Sequence, residues 1–109
     1  MQEYRQLVVV SAWLSLLAAT LHIDLKQHAA AAARLATAAS LARDAGHCEI
    51  EAWVFETRAW AVLTEGDYPQ AVELSRAAQK LAPKGSSVVI QAAAQEGRAW
   101  ARLGPIPLT

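Results

Sequence analysis

One eight-residue pattern occurs twice in this sequence, at a separation of forty residues. The pattern Glu-x-Arg-Ala-Trp-Ala-x-Leu begins at Glu56 and again at Glu96. Sliding the whole chain by forty pairs further residues of similar size, namely Trp13 with Trp53, Ala19 with Ala59, Ala31 with Ala71, Ala38 with Ala78 and Leu41 with Leu81. Internal repetition of this length is typical of stacked helical units that cover the apolar faces of their neighbours.

Glycine, proline and capping residues divide the chain into five segments with the pattern of helices. These segments are about 6–25, 28–45 and 49–65, one that follows Asp67 and stops before Pro83, and one that starts after Ser86 or Ser87 and runs to Leu103. Gly46 and Gly66 suit helix C-termini, and Asp67, Ser86 or Ser87 suit N-caps. We therefore predict an all-α fold of about five helices that pack as antiparallel hairpins.

Length, charge and cysteine content restrict the function. A chain of 109 residues predicts a single domain. Ten basic residues balance ten acidic ones, so the sequence does not indicate the strongly basic surface that binds nucleic acid. Cys48, the only cysteine, excludes an internal disulfide and is typical of a reducing compartment, so we predict a cytoplasmic protein.

The first predicted helix approaches the composition of a membrane span. Eighteen residues between Arg5 and Asp24 carry no formal charge. They contain a stripe of small or polar residues beside an apolar stripe, respectively Ser11, Ser15, Ala18 and His22, and Val10, Leu14, Leu17 and Leu21. Two such stripes are typical of a packed helix, and the opening residues MQEYR lack the basic character of a signal peptide. We therefore predict a packed helix and no membrane contact.

Residues 52–85 resemble a tetratricopeptide repeat (TPR). The likeness is carried by Ala59 midway along the first helix, the turn Gly66-Asp67-Tyr68, Ala71 and Ala78 seven residues apart on the second helix, and Pro83 at its end. Residues 12–45 resemble a degenerate copy, and residues 86–103 resemble a lone first helix. The resemblance implies a single domain over 1–109, built as a right-handed α-α superhelix of TPR-like helical hairpins.

A narrower resemblance extends over nearly the whole chain and is carried by residues 45–104. This stretch is similar to the C-terminal TPR-like domain of actinobacterial helix-turn-helix transcriptional regulators, which implies a sensor or interaction region that here lacks its DNA-binding head. We therefore predict a scaffold for a protein or peptide, with no direct nucleic acid contact. The alternative is a purely structural or oligomerisation fragment of a larger helical solenoid, for which a homodimer would cover exposed faces.

The residues that could support catalysis or metal binding are few. His47, Cys48 and Glu51 lie close together in the sequence and are the basis for a competing enzyme or metal-protein hypothesis. A zinc site needs three or four suitably spaced ligands, and adjacent side chains on a helix do not face each other. His22 and His28 are explained as a packing residue and a solvated residue. We therefore predict no enzyme, no metal and no cofactor.

The candidate binding residues are Trp13, Trp53, Glu56, Trp60, Glu96 and Trp100. Spacings of three and four place Trp53, Glu56 and Trp60 on one helical face, and shifts of forty in either direction add the others. The pattern predicts an aromatic groove with two carboxylates, which favours an apolar segment bearing a basic residue. The alternative is that Trp60 and Trp100 fill the core.

Two arginines stand where the TPR pattern usually has leucine, Arg58 and Arg98. A buried arginine needs a partner, so we predict a buried polar network in which Arg58 reaches a carboxylate or several backbone carbonyls. The alternative is that both side chains extend along their stems to solvent.

The last predicted helix carries a polar stripe of Gln91, Gln95, Arg98 and Arg102. Terminal repeats need polar outer faces, so we predict that this stripe points away from the stack. Its other face, with Val89, Ala93 and Trp100, should then be covered.

Overall fold

The computed structural model describes residues 2–105, and these form five α-helices. In chain order they are α1 (Gln2–Asp24), α2 (His28–Ala45), α3 (Cys48–Thr64), α4 (Tyr68–Leu81) and α5 (Ser87–Leu103). The prediction of an all-α fold with about five helices is confirmed, although α1 begins at Gln2 and not near residue 6.

Each helix packs against the next one in the chain, so the fold is a series of sequential hairpins. In addition, α3 contacts both α1 and α5, which places these three helices side by side. Within residues 2–105, no Cα atom of α2 lies within 8 Å of a Cα atom of α4. A groove lined by α1, α3 and α5 lies on one side of the molecule, and a cleft lined mainly by α2, α3 and α4 lies on the other.

The connection between α2 and α3 uses one glycine and one histidine. Gly46 adopts a left-handed conformation with φ of 63°, and its backbone N–H donates to the carbonyls of Ala42 and Arg43. Glycine reaches this conformation without a steric penalty, which explains why the helix ends there. His47 then caps α3, because its Nδ1 accepts a hydrogen bond from the backbone N–H of Ile50 at 3.2 Å.

The two later N-caps differ in how they work. Asp67 caps α4 as predicted, because its Oδ1 accepts a hydrogen bond from the backbone N–H of Gln70 at 3.3 Å. Ser86 occupies the N-cap position of α5, but its Oγ donates to the carbonyl of Pro83 at 2.7 Å. The prediction that a serine side chain caps this helix is therefore wrong, since the preceding turn uses the hydroxyl group.

Alanines form the closest contacts between the helices. Those with no exposed surface in the described part of the chain are Ala12, Ala19, Ala38, Ala42, Ala52, Ala59, Ala71, Ala78, Ala92 and Ala99. Ala19, Ala59 and Ala99 are spaced by forty residues and lie on the three neighbouring helices α1, α3 and α5. The first alanine of the repeated pattern is thus buried in both copies, where a larger side chain would push helices apart.

The packed face of α1 combines small residues with two large aliphatic ones and matches neither predicted stripe. Its buried residues are Ala12, Ser15, Leu16, Ala19 and Ile23, whereas Val10, Leu14, Leu17 and Leu21 are exposed. Neighbouring helices therefore cover one face of α1, and its apolar stripe is not part of that face. By length and composition α1 could also span a membrane, and a third of its most apolar window is buried against the rest of the chain.

Candidate functional site

An open groove of about 450 Å³ lies between α1, α3 and α5. Its lining comprises Thr20 from α1, Glu56, Thr57, Trp60, Leu63 and Thr64 from α3, and Gln91, Gln95 and Arg98 from α5. Most of these side chains are polar, in contrast to the alanine contacts inside the hairpins. A groove with several convergent polar groups is the kind of surface that orients a bound segment.

A chain of hydrogen bonds crosses the groove from α5 to α3. The Nε2 of Gln95 donates to Oε2 of Glu56 at 2.9 Å, and Nη1 of Arg98 donates to Oε1 of Gln95 at 3.1 Å. Glu56 and Gln95 are only 7% and 4% exposed, while Arg98 is exposed. Because an amide can donate and accept at once, Gln95 connects the carboxylate to the guanidinium without direct contact between the charges.

Burial controls the ionisation of Glu56. Loss of water around its carboxyl group raises the pKa of Glu56, while the hydrogen bond from Gln95 and the charge of Arg98 act in the opposite direction. Burial has the largest effect, so the charged form of this carboxyl group is poorly solvated. A cationic group placed in the groove would supply the interaction that water no longer provides.

The structure divides the six predicted binding residues among three places. Glu56 and Trp60 line the groove together. Trp13 and Trp53 are half-buried and pack against apolar clusters between α1, α2 and α3. The ring of Trp13 also meets that of His47 edge-on, at a centroid distance of 6.2 Å. Those two tryptophans therefore belong to the packing between helices and not to the lining of this groove.

Glu96 and Trp100 form a separate cluster with α4. The indole Nε1 of Trp100 donates to Glu96 at 3.0 Å, Nε2 of Gln79 donates to it at 2.8 Å, and Nε of Arg76 donates to it at 3.0 Å. The Arg76 guanidinium also lies 5.6 Å from the centre of the Trp100 ring. These hydrogen bonds, that from Trp100 foremost, hold the pKa of Glu96 below its usual range.

The two copies of the repeated pattern therefore place their carboxylates in different surroundings. The first carboxylate, Glu56, is desolvated between α3 and α5, whereas the second, Glu96, is held by donors on α4 and α5. The difference arises because α5 packs against the side of α3 that carries Glu56. Within residues 2–105, no further helix packs against the corresponding side of α5. The repeated sequence thus supplies one candidate binding carboxylate.

The predicted carboxylate partner of Arg58 is not present among residues 2–105. Arg58 lines the cleft between α2, α3 and α4, on the side opposite the groove. Its guanidinium lies 5.7 Å from the centre of the Phe55 ring, and none of the described carboxylates or carbonyls accepts a hydrogen bond from it. Burial, together with the charge of Arg43, lowers the pKa of Arg58. The described residues therefore include no carboxylate or carbonyl partner of Arg58, whereas Arg98, the other arginine of the prediction, donates to Gln95.

The polar stripe of α5 points away from the other helices only in part, because Gln91, Arg98 and Arg102 are exposed whereas Gln95 is buried. Gln91, Gln95 and Arg98 line the groove, and Gln95 is buried against α3. The spacing of Ala92, Gln95 and Ala99 shows the reason, because all three residues lie on the buried face of the helix. Trp100, expected to be covered, is 40% exposed. Gln95 could have been found from its place in this alanine stripe.

The side chains of His47, Cys48 and Glu51, close in the sequence at the start of α3, are not grouped into a metal site. His47 Nδ1 accepts the capping hydrogen bond, and Cys48 is an exposed free cysteine. Across residues 2–105, no three side chains of the His, Cys, Asp and Glu types are grouped so that they could hold a metal ion. No protein-family model, curated protein or solved structure matches the chain.

Proposed function

We propose that this chain is a TPR-like scaffold that binds a protein or peptide segment in the groove between α1, α3 and α5. The observation that carries the proposal is a carboxylate, Glu56, buried beside an open polar groove and held by Gln95. A side chain buried at such a cost is well suited to bind a ligand, because the ligand can compensate for the lost solvation.

The hairpin arrangement supports the TPR-like part of this proposal. Consecutive helices pack as hairpins, and Ala19, Ala59 and Ala99 are buried at intervals of forty residues on α1, α3 and α5. We further propose a right-handed superhelix and a role as the sensor or interaction region of a transcriptional regulator. This last step depends on the resemblance of residues 45–104, and it predicts a helix-turn-helix segment encoded in the same reading frame.

The lining residues define the chemistry of the segment that would fit. Trp60 and Leu63 offer apolar surface, and Glu56 offers a negative charge for a lysine or arginine side chain. Arg98 at the open side can donate to a backbone carbonyl of the same segment. The favoured ligand is therefore an apolar peptide that carries one basic residue.

The proposal can be tested with two matched sets of labelled peptides that have apolar flanks and either lysine or glutamate at the centre. Binding by fluorescence anisotropy should favour the lysine peptides. Glu56→Gln should weaken that binding about tenfold, which corresponds to about 1.4 kcal/mol. The control is Glu73→Gln, because Glu73 is exposed on α4 and does not line the groove.

Two results would contradict this assignment of the groove. One is equal binding of the lysine and glutamate peptides. The other is a loss of affinity in Glu73→Gln as large as that in Glu56→Gln, since binding would then depend on overall charge and not on the groove.

A further inference from the structure

The exposed face of α1 carries a regular row of large apolar residues. Leu7, Val10, Leu14, Leu17 and Leu21 are spaced by three, four, three and four residues, and we call them the α1 seam. Their exposed fractions lie between 53% and 68%. This is the spacing by which two helices pack side by side along their whole length.

The α1 seam differs in kind from the contacts inside the fold. Within residues 2–105 the helices approach each other through alanines that have no exposed surface, as Ala12 and Ala19 show on the opposite face of the same helix. The seam instead consists of four leucines and a valine. Large residues spaced alternately by three and four interdigitate with an equivalent row on another helix. An alanine stripe packs only against a helix that approaches closely.

We propose that the α1 seam is a dimerisation surface whose partner is a second copy of this chain. A two-fold interface must be self-complementary, and a row of aliphatic side chains with no formal charge between Arg5 and Asp24 satisfies that condition. Between Leu7 and Leu21 the helix therefore carries no formal charge that would oppose the contact of two seams.

The exposed area is of the order that a specific dimer interface buries. Tyr4, one turn before Leu7, and Leu25, in the turn that follows α1, lie next to the ends of the seam and are 69% and 67% exposed. A large apolar side chain contributes on the order of 100 Å² of buried surface. Seven of them approach the value of about 800 Å² per partner that is usual for a specific interface, before flanking residues are included.

A lipid surface fits this face less well than a second chain. An interfacial helix is typically bordered by lysine and arginine residues that meet anionic headgroups. Between Arg5 and Asp24 the neighbours of the seam are uncharged, for example Gln6, Ser11 and Thr20. A membrane span would in addition expose the opposite face of α1, where Leu16 and Ala19 pack into an apolar cluster with residues of α2 and α3.

Sedimentation velocity over a range of protein concentrations tests the proposal. The wild-type chain should have the mass of a dimer, and the double variant Leu14→Glu, Leu17→Glu should have the mass of one chain with unchanged helical circular dichroism. Ile90→Glu is the matched control, because Ile90 is 70% exposed but lies on α5. It should remain a dimer.

Covalent trapping gives a second measurement that does not depend on how the charged variant folds. In a Cys48→Ser background, Leu14→Cys should form a disulfide between two chains under mild oxidation, because seam residues near the middle of the interface approach each other. Ile90→Cys in the same background should not.

Several outcomes would overturn the proposal. A wild-type chain that stays monomeric would contradict it. A Leu14→Glu, Leu17→Glu variant that is still a dimer would also contradict it. Sedimentation with phosphatidylcholine or phosphatidylserine vesicles completes the test. A monomeric wild type that binds vesicles, with the double variant failing to bind, would identify a lipid surface as the occupant of the seam.

Discussion

Gln95 and Glu56 face each other across the groove, with 2.9 Å between the amide Nε2 of the first and the carboxylate Oε2 of the second. The bond joins α5 to α3 at a point where both side chains are almost inaccessible to water. Each residue therefore depends on the other, because a buried polar group without a partner costs about 1–3 kcal/mol. Substitutions at Glu56 should separate the effect of the hydrogen bond from that of the charge.

Glu56→Gln should unfold at a denaturant concentration equal to or higher than that of the wild type at neutral pH. The new amide oxygen can still accept the hydrogen bond from Gln95, while the cost of burying a charge disappears. Glu56→Ala should lose about 1–3 kcal/mol, because Gln95 then lacks its acceptor. Urea titrations followed by circular dichroism give both values. If the alanine variant is the more stable of the two, the hydrogen bond does not hold α5 to α3.

The stability of the wild type should depend on pH through Glu56 in a defined direction. Burial raises the pKa of Glu56 above its ordinary value of 4.5, so the folded state binds a proton more readily than the unfolded state. The stability that protonated Glu56 contributes is therefore fully present below pH 4.5. It is lost as the pH rises through the raised pKa of the folded state.

The difference in unfolding free energy between Glu56→Gln and the wild type isolates this effect from those of other carboxyl groups. It should shift in favour of the variant as pH increases from about 4 and then become constant above the raised pKa. Glu96 acts in the opposite sense, because its pKa is lowered, but it is common to both proteins. A difference that stays flat across this range would contradict the assignment of Glu56 as a desolvated acid.

Trp60→Ala should cost less stability than the removal of a residue from the core. Trp60 is half-buried at the groove, whereas Ile50 has no exposed surface and lies in an apolar cluster. We expect a loss of about 1–2 kcal/mol for Trp60→Ala and about 2–5 kcal/mol for Ile50→Ala. Thermal or urea unfolding measures both. A loss for Trp60→Ala of about 3–5 kcal/mol would instead identify Trp60 as a packing residue.

Enlarging a buried alanine should be more harmful than enlarging an exposed one on a neighbouring helix. Ala19→Leu places a large side chain where α1 meets the adjacent helices without exposed surface, so we expect a loss of about 1–3 kcal/mol or more. Ala36 is exposed on α2, and Ala36→Leu should change stability by less than about 0.5 kcal/mol. Similar midpoints for the two variants would show that the helices do not depend on close approach at Ala19.

Much of the fold could be predicted because individual residues at the helix ends determine where the helices begin and end. Gly46 and Asp67 act through their own backbone or side-chain conformation, so their positions mark boundaries without knowledge of the tertiary structure. The covered face of α1 could not be predicted in this way. Periodicity shows that stripes exist, but which stripe is buried depends on how closely the neighbouring helix approaches, and alanines on α2 permit a very close approach.

The candidate site was predicted only in part, for a related reason. Glu56 and Trp60 share a helical face, and helical spacing alone brings them together. Gln95 joins them from α5 only because Ala92 and Ala99 bury that face. Glu56 and Glu96 have different neighbours in space, so their pKa values shift in opposite directions. Identical sequence patterns therefore do not imply identical chemistry.

The order in which the helices contact one another has a consequence for how the chain folds. Most interfaces in residues 2–105 join helices that follow each other directly, and the remaining ones skip a single helix. Each such contact closes only a short loop, so the entropic barrier to folding is low and we expect refolding within milliseconds or less. Either the first two helices or the last two can nucleate the process, and the rest of the chain can then be added one helix at a time.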